Sequence, residues 1–166
     1  MAAVDFFLKI DGIPGESTDF AHKGEIQVAS WSWGETNSGH ATATGAGGAT
    51  AGRVSVQDFH FTSKISKASP KLMAASVGGT IIKEAVLTAV RRGAEDKGDF
   101  PFLKYTMDTI LVSGVAQAAN PNDLIPEDTV SLNFAKIAVE YKEQKQDGTL
   151  GETVTFTFNV RQQRAG

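Results

Sequence analysis

Alternation with a period of two dominates the chain. Val4, Phe6, Leu8 and Ile10 alternate with Asp5 and Lys9, and Val154, Phe156, Phe158 and Val160 alternate with Thr153, Thr155, Thr157 and Asn159. Successive side chains of a strand point to opposite faces, so each run predicts a strand with one apolar face. Val130, Leu132 and Phe134 share one parity, whereas Ile137, Val139 and Tyr141 share the other. That phase change predicts a β-bulge near Ala135–Lys136, a bend of the kind a small barrel needs. A similar shift separates Val54 and Val56 from Phe59 and Phe61, with Asp58 at the crossover. Leu103, Tyr105, Met107 and Leu111 mark a further long strand, and Asp147-Gly148 predicts the turn between the last two strands.

One helix is signalled. Ser69 can cap it, Pro70 fits its first turn, Leu72, Met73 and Ala75 supply apolar contact, and Gly78-Gly79 ends it. Ile81 to Val90 fits a helical face as well as a strand, and its Val and Ile content tilts it towards strand. Six or seven short strands with one brief helix predict a mainly β fold. The expected form is a compact antiparallel β-barrel or sandwich in a single domain spanning residues 1–166. The Gly-rich Ser38–Gly52 segment and the Ala116–Asp128 stretch are expected to be loops.

The placement of the largest and smallest side chains changes this picture. Both tryptophans fall in Trp31-Ser32-Trp33-Gly34, and the 15 residues Ser38 to Gly52 that soon follow contain five Gly, five Ala and no charge. Trp suits large apolar contacts, while Gly and Ala at this density offer almost no area to bury. A loop this long serves assembly or stays disordered.

Composition excludes more than it assigns. The 166 residues carry a net charge of −3 with scattered basic residues, which argues against nucleic acid as a partner. Arg91-Arg92 reads as a solvated strand end. There is no Cys, so disulfides and thiolate metal sites are out. No apolar run approaches the roughly 18 residues of a membrane span, and the Met1–Phe6 start lacks the basic region of a secretory leader. The expectation is a cytosolic protein without membrane insertion.

Catalytic patterns are missing. His22, His40 and His60 stand far apart in no metal-ligand spacing, and His60, between Phe59 and Phe61, should face away from those rings. Trp31-Ser32-Trp33 lacks the glycines of a nucleophile elbow. Gly47-Gly48-Ala49-Thr50-Ala51-Gly52-Arg53 lacks the Lys of a phosphate loop and leads into a strand. The carboxylate pairs Asp96 with Asp99 and Glu127-Asp128 read as solubilising surface. No enzyme and no cofactor or metal are expected. The aromatics Trp31, Trp33, Phe59, Phe61, Phe156 and Phe158 either fill the core or line a small-ligand pocket of lipocalin or jelly-roll type.

An ordered set of motifs resembles a known family. Lys9-Ile10-Asp11-Gly12-Ile13-Pro14-Gly15-Glu16-Ser17 is followed by His22, Glu25-Ile26 and Trp31-Ser32-Trp33-Gly34. Then come Val56-Gln57-Asp58-Phe59-His60-Phe61, Ser69-Pro70-Lys71-Leu72-Met73, Val130-Ser131-Leu132-Asn133-Phe134-Ala135 and Asp147-Gly148. In this order, from about Phe6 to Val160, the chain resembles Hcp, the inner-tube protein of bacterial type VI secretion systems. Ser66 departs from the pattern, which has an acidic residue before Lys67. The resemblance implies a strand over Ile81–Val90 and a homo-hexameric ring with a central channel. It also implies stacking of rings into a tube that works with spike and sheath components and carries or chaperones effector proteins in its lumen. Such a protein resides in the bacterial cytoplasm before firing and is secreted without a cleaved leader.

Two placements follow from that frame. In a strand Ser32 points opposite Trp31 and Trp33, so it is expected on the solvent or lumen face, in contact with effectors. Ile26 and Val28 share its parity, so either a bulge or a strand covered on both faces is needed. Gly39, His40, Thr42, Thr44, Gly45, Gly47, Gly48, Thr50 and Gly52 are expected to make contacts between stacked rings. Their small side chains permit close approach but cannot order the segment alone.

Overall fold

The apolar–polar alternation becomes strand in the computed structural model, which describes residues 3–39, 52–93 and 98–166. The strands are β1 (Val4–Ile10), β2 (Ile26–Val28), β3 (Ser30–Ser32), β4 (Glu35–Asn37), β5 (Val54–Val56) and β6 (Phe59–Lys64). After helix α1 (Ala68–Gly78) come β7 (Ile81–Arg91), β8 (Phe100–Ala118), β9 (Glu127–Gln144), β10 (Leu150–Asn159) and β11 (Arg164–Ala165). Every strand pair is antiparallel. The fold is therefore mainly β with one short helix, and Ile81–Arg91 is strand.

The main sheet runs β11-β10-β9-β8-β7-β1-β2, with β6 on β9 and β3 on β6. The β2 edge and the β3–β6 branch are joined by the chain itself. β2 pairs with β1, and β3 pairs with β6. Between them Ala29 bends and donates its N–H to Thr62 O at 2.8 Å. This bend supplies the irregularity that Ser32 requires: Ile26 and Val28 are buried, while Ser32, two pairs of residues on, is exposed. Phe59, Phe61, Leu8, Leu72, Leu87, Met107 and Ile137, all at most 1% exposed, fill the interior. Burial on this scale supplies roughly 1.5–3 kcal/mol per side chain.

A crease shared by three strands lets the sheet wrap this core. Ile82, Ile110 and Phe134 pair in one cross-strand row, and Ala85, Met107 and Ile137 in another; all six are buried. The rows lie an odd number of residues apart, so an uninterrupted pleat would place them on opposite faces. All three strands correct their phase at one step, Lys83, Thr109 and Ala135. There Thr109 takes φ +55°, a left-handed conformation unusual for a β-branched residue. The expected phase change between Phe134 and Ile137 is real, but it is not an extra residue on β9. Ile110↔Phe134 and Asp108↔Lys136 keep one register. The register shift between β8 and β9 lies elsewhere, between Val112 and Gly114, where Ser113 is inserted. Because of the crease Leu111 does not share the buried parity of Met107; Ile110 and Val112 do.

Three further expectations need correction. Ser69 lies inside α1 and does not cap it; the N-cap position is Lys67, without a side-chain cap bond. The Ser69 hydroxyl instead donates to the Asp128 carboxylate and accepts the Ser66 N–H at 3.0 Å. Asp128 is accordingly not surface: it is 1% exposed and also accepts from Gln117 Nε2 at 2.7 Å. A buried carboxylate without such donors would be strongly destabilising. Finally, Ala116–Ala118 and Glu127–Asp128 belong to β8 and β9, so the connection is shorter than expected.

The remaining turns follow sequence. Gly79, at φ +60°, closes α1 with its own N–H on Ser76 O and the Thr80 N–H on Ala75 O, a Schellman arrangement. Gly148 at φ +85° and the Asp147 carboxylate, which accepts Thr149 N–H at 3.0 Å, make the β9–β10 turn. The chain divides at Gln57–Asp58, as the apolar phase shift requires: β5 leaves the main sheet to pair with β4.

Candidate functional site

One part of the sheet presents a face of small and mostly polar side chains. Rows of paired residues cross β3, β6, β9 and β8. Trp31–Phe61–Val130–Val115 faces the core, as does the Phe59–Leu132–Val112 row. The alternate rows, Ser30–Thr62–Thr129–Ala116 and Ser32–His60–Ser131–Gly114, face outwards. Ser30, Ser32, His60, Thr129 and Ala116 are exposed. Ser30 Oγ and Thr62 Oγ1 lie 2.6 Å apart, so even neighbouring hydroxyls are tied to each other and not to the core. A face of small hydroxyls crossed by one imidazole favours water over large apolar contacts.

Ser32 therefore stands where its parity places it. His60 points away from Phe59 and Phe61, which are buried. The rest of the face was missed in the sequence, although Thr129, Ser131 and Asn133 interleave with Val130, Leu132 and Phe134. Taking the polar parity of each strand as a surface in its own right would have found it.

Of the small-residue segment, Gly39 and Gly52 are described; His40, Thr42, Thr44, Gly45, Gly47, Gly48 and Thr50 lie outside the described residues. Its two ends rise from the β4–β5 ribbon, whose register is Glu35↔Val56, Thr36↔Ser55 and Asn37↔Val54. Beyond the last pair, Arg53 N–H donates to Ser38 Oγ at 3.1 Å and Gly39 N–H to Asn37 Oδ1 at 2.7 Å. A side chain at Gly52 would collide with the Ser38–Gly39 backbone, so glycine is needed where the two strands cross. The ribbon is fastened to the body by Val54 N–H on Gln163 Oε1 at 3.0 Å.

Apolar surface gathers elsewhere. Tyr141 pairs with Val154 and Val139 with Phe156 on the β9–β10 ladder, and Tyr141, Val154 and Phe156 are 45%, 63% and 37% exposed. The β10 strand thus carries its alternation outwards, away from the core that buries Phe158 at its end. Of the six aromatics considered for a pocket, Phe59, Phe61 and Phe158 are core. Trp31 and Trp33 are half-buried against it, and Phe156 is exposed.

The arginine pair is half-buried and bonded to neighbours rather than free in solvent. Arg92 reaches Asp5 Oδ2 at 2.6 Å, Asp99 Oδ2 at 2.6 Å and Asp19 Oδ2 at 2.8 Å. It joins β1, the 11–25 loop and the β7–β8 connection. Burial pushes the Asp19 carboxyl up. The Arg92 hydrogen bond and charge, with the N–H groups of Ala21 and His22, outweigh this and hold it below the ordinary value. The hydrogen bonds it donates to Asp5 and Asp19 raise Arg92 in turn. Arg91 donates to Gln144 Oε1 at 2.8 Å and lies over the Phe102 ring. Asp99 is thus a partner of Arg92; Asp96 lies outside the described residues. Burial raises the Tyr105 hydroxyl above its usual range.

Among the described residues no group of three His, Asp or Glu side chains is placed to hold a metal, and no helix is long and apolar enough to cross a membrane. His22 bonds Glu25 Oε2 at 2.8 Å and stacks on Phe7, a structural role.

Comparison with known proteins gives one consistent result. Residues 7–141 match the model of a family described as type VI secretion system effector, Hcp. The chain is 40% identical over 161 residues to protein hcp1 of Pseudomonas aeruginosa, covering 96% of this chain and 97% of that protein. It aligns with the crystal structure of Hcp1 from Salmonella typhimurium at 31% identity and a TM-score of 0.77, over 100% of both chains. A solved type six secretion system protein, 25% identical, gives a TM-score of 0.89 over 99% of this chain and 100% of that one.

Proposed function

This chain belongs to the type VI secretion system Hcp family, and from that premise we propose that it is the repeating subunit of a hexameric ring that stacks into a secretion tube. The observation that carries the proposal is the four-stranded β3–β6–β9–β8 region. Its outward face is polar along β3, β6 and β9 and small-sided on β8, and among the described residues its two borders are unpaired: β3 pairs with β6 alone, and the β8 end from Val112 to Ala118 with β9 alone. Unpaired strand edges have to be covered or used. Two different edges on one subunit suit a heterologous contact, which closes into a ring when the rotation permits. In such a ring the polar rows, Ser32 among them, suit the wall of a water-filled channel. The exposed Tyr141, Val154 and Phe156 supply a second, apolar contact.

In this reading effector proteins lie against the polar face. Gly39, Gly52 and the segment between them meet the next ring, and the spike caps the stack inside the contracting sheath. The subunit catalyses nothing. It leaves the cytoplasm by ejection. Native mass spectrometry of the purified protein tests the ring: the expected species has six times the mass of the chain. Monomer alone across micromolar concentrations would overturn the proposal.

A further inference from the structure

Most side chains on the polar face stand singly or in pairs, but four are locked together. Ser113 is the residue inserted at the β8 bulge, and bulges re-aim side chains. Its hydroxyl reaches Asp58 Oδ2 at 2.6 Å and Ser131 Oγ at 2.9 Å. Asn133 Nδ2 donates to Asp58 Oδ1 at 2.9 Å. The neighbouring Gly114 leaves room for this: a Cβ there would lie 2.9 Å from Ser131 Oγ.

Proton counting gives the group a polarity. An ionised carboxylate only accepts, and a hydroxyl has one proton. The Ser113 proton therefore goes to Asp58, and the contact between Ser113 and Ser131 uses the Ser131 proton. All the donors of these contacts point inwards along the chain to Asp58. What remains for a visitor is mostly acceptor, the second lone pairs of both Asp58 oxygens and those of Ser131 Oγ, beside one donor, the second N–H of Asn133. Among the described residues no Lys, Arg or His forms an ion pair with Asp58. The carboxylate is held by neutral groups alone.

We propose that Asp58, Ser113, Ser131 and Asn133 form a site for a cationic side chain, Arg or Lys, of a polypeptide lying on the polar face. A guanidinium or ammonium carries only donors, and a fixed acceptor group meets it with a charge-assisted bond. The inference rests on the reading that this face meets cargo, and it adds the chemistry of that cargo: extended segments bearing basic residues.

The test uses two fluorescein-labelled peptides, a repeated Gly-Ser-Arg and a repeated Gly-Ser-Gln, titrated with the full chain at low ionic strength and followed by anisotropy. The Arg peptide binds about tenfold tighter or more, the range of one charge-assisted hydrogen bond. Asp58→Asn removes that preference. Ser113→Ala keeps the charge but frees the carboxylate and lowers the preference about threefold, the value of a weak neutral hydrogen bond. Glu127→Gln, an exposed carboxylate on the same face outside the group, leaves it intact. No preference in the natural protein, survival of the preference in Asp58→Asn, or equal loss in Glu127→Gln would each overturn the site. Were Asp58→Asn to misfold, an unchanged preference in Ser113→Ala would do so by itself. Native mass spectra of the same samples separate the two readings. Rings without an Arg preference sink the site alone. Monomers with the preference sink the ring alone, since all four residues belong to one subunit.

Discussion

The two faces of the β3–β6–β9–β8 sheet share one backbone and one set of hydrogen bonds, yet they serve opposite ends. On one face Phe59, Phe61, Val112, Val130 and Leu132 are at most 2% exposed; on the other, Ser30, Ser32, His60 and Thr129 meet water. Single-residue alternation thus assigns stability to one parity and surface chemistry to the other. Substitutions on the two faces should therefore separate folding from function.

The largest effect belongs to the buried parity. Phe61→Ala should cost about 3–5 kcal/mol, the usual penalty for emptying a core aromatic site, and denaturant unfolding measures it. An unchanged midpoint would mean that the core lies elsewhere.

Next in size is a tie that belongs to neither face. Arg92→Met removes the partner of three partly exposed carboxylates and should destabilise by about 1–3 kcal/mol. The same tie has a pH signature. Asp19 is held below its ordinary value of 3.8, so its contribution is fully present above that pH and fades as pH falls through the lower folded value. Melting temperature followed down to acid should drop more steeply for the natural protein than for Arg92→Met. Parallel curves would contradict the coupling.

The polar parity should barely register in such measurements. Replacing Ser32 with Leu changes stability by less than about 0.5 kcal/mol, as surface substitutions do, while impairing retention of effectors by assembled rings. A loss of several kcal/mol would place Ser32 in the interior instead. Smallest in stability is the shortening of Thr42–Thr50 to a tight turn. It should leave the melting temperature and the ring unchanged and reduce tube formation and secretion. Normal stacking by the shortened variant would reduce the segment to a connection.

These expectations could be written because alternation is a local signal. Val4–Ile10 and the Thr-rich 153–159 run, together with the Asp147-Gly148 turn, were legible from neighbouring residues alone. What was not legible depended on partners distant in sequence. The phase change at Phe134–Ile137 looks like a bulge in one strand until Ile82, Ile110 and Thr109 reveal a crease across three. Ser69 has the right type for a cap, but it lies inside α1, and Asp128, 59 residues away, accepts its hydroxyl. Arg92 gathers Asp5, Asp19 and Asp99 from three segments, and no local pattern announces that. The polar face was half legible: Ser32 followed from the tryptophans beside it, whereas Asp58, Ser113 and Asn133 meet only through the fold.

Electron cryomicroscopy of the purified protein tests the central claim most directly, because it reports both the ring and which parity faces the channel. Six-fold rings are expected, with the Ser30–Thr62–Thr129 and Ser32–His60–Ser131 rows on the inner wall. Rings with those rows on the outer surface, or single subunits only, would contradict it.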